Sequence, residues 1–432
     1  MRFITKLMLV AFLAGLHSQL FANDLIVAEN GAGGAYSSIT DALAASVDGD
    51  RIFITPKSGG AAYAEDLNLD KSIQLLSNKE GEFFTIQGEI TVTPEIARKI
   101  TIIGMRNLQG SITSTVASPE GEPCEVNIMN CDFKLGNILF DVDYFKMTIA
   151  SNLIKGKVII RNGKIIGNSI SNKENGISVT VNSDLNISND TILVVANKIN
   201  NSYLTVGSTY NYGIYIKTTS HFFMISNNFV KYEYGSYYAW PTTYYYGYGI
   251  FVENAKNASN GKNTILNNTL YREETANIGG NLWGIYVSSI PADASVDIVN
   301  NLIVANASMP INEGIISYSN TGIVASNYNF FSNVTTAFKD AVDDGTNKID
   351  SNTLVDNEGK LAANSDAIDG GNPDSVYYDI DLTRANVGVY GGSFTLDNFF
   401  PITGAARVYF VQAPRRVIIG NTIKIKAEAF DR

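Results

Sequence analysis

The sequence predicts an all-β chain wound as a solenoid of stacked coils, on three observations. Five segments begin alike: Asn175-Gly176-Ile177-Ser178-Val179, Tyr212-Gly213-Ile214-Tyr215-Ile216, Tyr248-Gly249-Ile250-Phe251-Val252, Trp283-Gly284-Ile285-Tyr286-Val287 and Glu313-Gly314-Ile315-Ile316-Ser317. Their glycines are 37, 36, 35 and 30 residues apart, a period that belongs to repeat architectures. Within each segment apolar and variable residues alternate, which is strand spacing. An apolar run with asparagine follows each of the first four glycines: Val194-Val195-Ala196-Asn197, Met224-Ile225-Ser226-Asn227-Asn228, Ile265-Leu266-Asn267-Asn268 and Ile298-Val299-Asn300-Asn301. Earlier relatives are Ile149-Ala150-Ser151-Asn152 and Ile165-Ile166-Gly167-Asn168, and Val324-Ala325-Ser326-Asn327 is a shorter version after Gly314. An asparagine buried at one corner of every coil can satisfy its amide against the next coil.

These glycine and asparagine repeats resemble those of right-handed parallel β-helix proteins, the pectate-lyase-like superfamily, in its exported bacterial form. The resemblance covers roughly residues 24–395. It implies one right-handed parallel β-helix with an N-terminal helical cap and a short C-terminal β tail. The expected organisation is a signal peptide at 1–22, the capped β-helix at 23–395, and a β tail at 396–432 that either packs on the solenoid or opens a sandwich-like module.

The elements follow in order. Arg2 and Lys6 precede an apolar stretch at 7–16, and Ala22 offers a small residue for cleavage. That pattern reads as an export signal, too short in its apolar part to span a bilayer. Residues 36–46 have apolar side chains three and four apart, as in a short helix, and Ile52-Phe53-Ile54 and Ile73-Gln74-Leu75-Leu76 read as strands. The family resemblance makes this helix the plug of the open core. Later periods exceed what one coil of the family needs, so the surplus leaves as loops. The largest, between Asn228 and Gly249, holds Tyr238, Trp240 and Tyr245 among nine Tyr and Trp residues. Residues 340–395, rich in Asp and Gly, resemble a closing segment that ends the solenoid. Their carboxylates could hold calcium or, more commonly, cap turns. The tail suggests two strands, Val408-Tyr409-Phe410-Val411 and Thr422-Ile423-Lys424-Ile425-Lys426-Ala427.

Composition limits the functions. The 432 residues carry a formal charge of −10, or −12 once Arg2 and Lys6 leave with the signal. Without a basic run there is no footing for nucleic acid, and no segment beyond the signal reaches membrane length. Cys124 and Cys131 are bridged or packed as free thiols. His221 is the sole histidine outside the leader, which leaves little room for histidine catalysis.

Stacking the repeats in register gives two outward rows. Ser178, Tyr215, Phe251, Tyr286 and Ile316 form the first, and Thr180, Lys217, Glu253, Ser288 and Tyr318 the second. Rings on neighbouring coils lie about 4.8 Å apart. Such a surface suits the apolar faces of sugars, or it stacks on itself as a small second core. Lys217 beside Glu253 is a surface ion pair or, in a cleft, an acid–base pair. The resemblance adds a lyase alternative, in which Lys217 or Lys231 abstracts a proton, with Arg272 and Glu253, Glu273 or Glu274 nearby. No lyase signature is present. The leading expectation is a secreted or cell-surface protein that contacts polysaccharide through Tyr215, Phe251, Tyr286 and the loop residues Tyr238, Trp240 and Tyr245, without a required cofactor. A uronate lyase is the alternative, and a structural or adhesive scaffold the third.

Overall fold

The computed structural model describes residues 22–172, 177–183, 191–201, 210–233, 235–239, 242–257, 261–272, 280–305, 309–349, 353, 355–402, 406–413 and 422–430. The expected signal peptide, apart from Ala22, lies outside them. Each coil supplies one strand to each of three sheets in turn. Gln74–Ser77 enters sheet A, Phe84–Ile86 sheet B, Ile90–Val92 sheet C, and Lys99–Ile103 returns to sheet A. Among the described residues sheet A has 13 strands, sheet B ten and sheet C twelve, all parallel except Gly235–Ala239 in sheet C. This is a right-handed parallel β-helix.

Inward positions are aliphatic and sealed. Ile214, Ile250, Ile285 and Ile315 align across sheet C, as do Ile216, Val252 and Val287, and all are 0% exposed. The first repeat departs from the expected register. Val179, not Ile177, pairs with Ile214, and Thr180, not Ser178, pairs with Tyr215. Ser178 therefore sits opposite Gly213 and carries a Cβ at the position where the later repeats have glycine. In those later repeats close approach demands glycine. A Cβ on Gly213, Gly249 or Gly284 would lie 2.6, 2.9 or 2.5 Å from the next coil's glycine carbonyl oxygen.

The corner between sheets A and B carries the asparagine ladder. Asn152, Asn168, Asn197, Asn228, Asn268 and Asn301 each donate Nδ2 to the Oδ1 of the next, at 2.9–3.0 Å. The same Oδ1 also accepts the preceding asparagine's backbone N–H, for instance Asn228 N to Asn268 at 2.9 Å. Asn329 and Asn347 continue the row, so Asn329 rather than Asn327 is the ladder member after Gly314. Cys131 occupies the preceding rung, its N–H donating to Asn152 Oδ1 at 2.8 Å. Both cysteines are free and buried, and burial pushes the Cys131 thiol up to about 12.

At the N-terminal end, helix Ile39–Ala45 takes the place of a sheet C strand. Ser38 caps it, and Ile39, Ala42 and Leu43 enter the core. The C-terminal stretch behaves differently from expectation. It does not simply close the end but runs back along the A–B corner. Asn372 N donates to Asn300 Oδ1 (2.7 Å), Asn267 Nδ2 to Asn386 O (3.1 Å), and Asn227 Nδ2 to Gly391 O (2.6 Å). Val387, Val389, Leu396 and Phe399 are buried in a second apolar cluster with Ile166, Leu193 and Leu302. Asp379 serves a turn here, accepting the N–H of Gly392 (2.5 Å) and of Asn386 (3.1 Å).

The tail is an antiparallel hairpin of Arg407–Gln412 and Lys426–Phe430, its second strand starting later than expected. Two strands do not stand alone, and Tyr409, Phe410 and Phe430 join the second cluster. Glu428 anchors the hairpin through Lys164, Lys426 (2.9 Å) and the Tyr409 hydroxyl (2.9 Å). Burial works against its charge, but those hydrogen bonds win and hold the carboxyl at about 2, below its ordinary 4.5. Burial also pulls the Lys164 ammonium down despite that pairing, which offsets part of the gain. A carboxyl depressed on folding stabilises above its unfolded pKa and loses that contribution as pH falls through the folded one. Glu428 therefore contributes on the order of 1–3 kcal/mol above pH 4.5, lost between pH 4.5 and 2. Thermal melts of wild type and Glu428→Gln should differ at pH 7 and converge near pH 2.

Candidate aromatic site on sheet C

The repeated glycine shapes the outer face of sheet C. Along Asn211–Thr218 two successive residues, Gly213 and Ile214, are buried, so Tyr212 and Tyr215 both face outward although they are three apart. Asn281–Ser288 repeats the pattern with Trp283 and Tyr286. Instead of one aromatic row there are two, Tyr212-Tyr248-Trp283 and Tyr215-Phe251-Tyr286, aligned strand by strand. Tyr210 and Tyr246 add a further pair, 5.3 Å between centroids.

The first row is the one that residue reasoning missed, though its signal was present: an aromatic residue precedes the glycine in three consecutive repeats. Tyr248 is the hub, with centroids 4.9 Å from Tyr212, 5.2 Å from Phe251 and 4.6 Å from Trp283. Tyr212, Tyr248 and Phe251 are within 20° of parallel. Centroid steps near 5 Å exceed the 3.5–4.0 Å contact of stacked carbons, so these rings overlap like shingles. The second row is not coplanar: Tyr215 tilts 40° from Phe251, and Tyr286 stands at 86° to it. Burial, then neighbouring tyrosines, pushes the Tyr248 hydroxyl well above the usual phenol range, and burial does the same for Tyr212 and Tyr286. All three stay protonated donors at neutral pH.

Two ion pairs frame the rings. Lys217 Nζ lies 3.1 Å from Glu253 Oε1, while Tyr215 donates its hydroxyl to Glu253 Oε2 at 2.6 Å. Across the face, Lys339 reaches Glu313 Oε1 at 2.6 Å, and Trp283 donates Nε1 to the other oxygen of Glu313. Tyr318, at the rim, is 56% exposed.

The other expected basic groups lie elsewhere. Lys231 faces out from sheet B, 5.9 Å above the Phe229 ring and 5.7 Å from that of Tyr271. Lys231 pairs with Tyr271, so Arg272, one residue on, points to the opposite face of the pleat. It is buried beside the fully buried Glu233 (3.5 Å) and donates to Pro310 O at 2.6 Å. Lys217, Lys231 and Arg272 thus occupy three different surroundings and do not line one groove. Glu273, Glu274 and Trp240 lie outside the described residues. Tyr238 and Tyr245 belong to the hairpin of Gly235–Ala239 with the start of Thr242–Glu253, and their side chains lie outside the described set. His221 is buried, with Nδ1 2.8 Å from the hydroxyls of both Ser183 and Ser220.

A cleft of about 1020 Å³ also opens between sheet A and the C-terminal hairpin, lined by Lys164, Leu193, Met224, Phe394 and Phe410. It depends on the docked tail, which no local pattern predicts. No helix among the described residues is long and apolar enough to cross a membrane.

No protein-family model and no curated protein matches the chain. Among solved structures, the crystal structure of pectate lyase Pel9A is similar at 14% identity, covering 87% of this chain and 98% of that one, with a TM-score of 0.40.

Proposed function

We propose that this is a secreted or cell-surface β-helix protein that contacts polysaccharide through the outer face of sheet C. The observation that carries the reading is the ring cluster spanning three coils, from Tyr212 to Tyr286, framed by Glu253 and Glu313. Ring surface takes the C–H faces of sugars, and carboxylate and phenol edges take their hydroxyls. The half-buried rings also stabilise one another, so the platform is preorganised and loses little entropy on binding. Supporting contact over β-elimination are the neutralised Lys217 and the inward Arg272, which leave the lyase alternative without a gathered base and carboxylate clamp.

The test is affinity electrophoresis of the mature chain in gels containing different polysaccharides with calcium, beside an absorbance assay for new unsaturated ends. Retardation that Trp283→Ala weakens, without new unsaturated ends, is the expected result. Appearance of unsaturated ends that Lys217→Ala or Lys231→Ala abolishes would replace this reading with the lyase. Neither signal would leave a structural scaffold.

A further inference from the structure

We infer that the sheet C face takes an uncharged glycan and discriminates against uronate polymers. The inference rests on the polysaccharide reading above and specifies its substrate class. Around the rings, both described lysines already hold a carboxylate: Lys217 with Glu253, and Lys339 with Glu313. Each carboxylate is also engaged by a ring donor, Tyr215 on Glu253 and Trp283 on Glu313, so neither lysine can turn to a ligand without disturbing the platform.

The sequence around the face points the same way. The strands 211–218, 242–253, 281–288 and 311–318 that carry the rings contain one lysine, no arginine and two glutamates, and Lys339 balances the second glutamate. Arg272 is turned inward to the buried Glu233. A uronate chain brings a carboxylate on every sugar to a face whose described lysines are already paired, on a protein of charge −10. Like charges brought together without compensation oppose binding and act as a specificity filter. A neutral chain meets no such barrier. Its hydroxyls can donate to Glu253 and Glu313 and accept from tyrosine hydroxyls, while its C–H faces lie on the shingled rings.

The experiment compares soluble hydroxyethylcellulose, galactomannan, arabinoxylan, polygalacturonate and chitosan, by affinity electrophoresis and tryptophan fluorescence, at low and high salt. At least one neutral polymer should bind with little salt dependence, and polygalacturonate should bind at least about tenfold more weakly at low salt. Glu313→Gln, which leaves the Lys339 ammonium uncompensated, should raise polygalacturonate binding severalfold. Polygalacturonate binding as tightly as the best neutral polymer, and weakened by Trp283→Ala, would overturn the charge filter while leaving the glycan reading intact. Chitosan binding tightest would overturn it in the other direction. Retention on no polymer would overturn the inference together with the reading on which it rests.

Discussion

Asn268→Ala should destabilise the solenoid by roughly 2–6 kcal/mol, because it strands two buried backbone groups at about 1–3 kcal/mol each. The Asn268 amide donates to Ile225 O at 2.9 Å and to Asn301 Oδ1 at 2.9 Å, while its oxygen accepts both the backbone and side-chain N–H of Asn228 at 2.9 Å. Alanine leaves Asn228 N and Ile225 O without these partners in a fully buried corner. Asn228 Nδ2 keeps Val194 O, and Asn301 Oδ1 keeps the backbone N–H of residue 268, so the loss is bounded. Stability in a repeat array sums over neighbouring coils, and the damage falls inside the stack, with coils on both sides. Denaturant unfolding measures it, with Lys262→Ala on an exposed side chain as the control. A shift within about 0.5 kcal/mol, typical of ordinary surface changes, would contradict the role given to the ladder.

The second large effect belongs to Tyr248. Its ring touches Tyr212, Phe251, Trp283 and Tyr286, and it is the most buried ring of the cluster at 7% exposure. Tyr248→Ala removes the shared support of both aromatic rows. Central aromatic anchors of an interface cost 2 kcal/mol or more when truncated. Polysaccharide affinity should therefore fall by at least about tenfold, accompanied by a lower melting temperature. Tyr318→Ala at the rim should change affinity less than about threefold. Equal losses from the two variants would mean that the face does not bind as a centred platform.

Much of the fold was legible because a solenoid writes its geometry into local, repeated residues. The glycine spacing marked the sheet C strands, and the asparagines marked the A–B corner, since both answer to contacts one coil away. Errors arose where the deciding contact was not periodic. Gly176 imitated the repeat, yet Ser178 occupies the register position of the later glycines. Arg272 looked outward beside Lys231, but one residue of offset reverses a side chain in a strand. Simple alternation predicted one aromatic row. The pair of buried residues at each glycine produces two. The return path of residues 366–400 along the corner rests on contacts more than a hundred residues apart, such as Asn227 with Val389 and Gly391, and leaves no local trace.

The central claim, that a glycan lies across sheet C, is tested most directly by hydrogen–deuterium exchange of the protein with and without a neutral polysaccharide that retains it. Slower exchange should appear in Asn211–Thr218, Thr242–Glu253 and Asn281–Ser288 and spare the sheet A strands Ile192–Val195 and Phe223–Ser226. Protection confined to those sheet A strands and the C-terminal hairpin would move the binding site to the cleft beneath the tail and contradict the account.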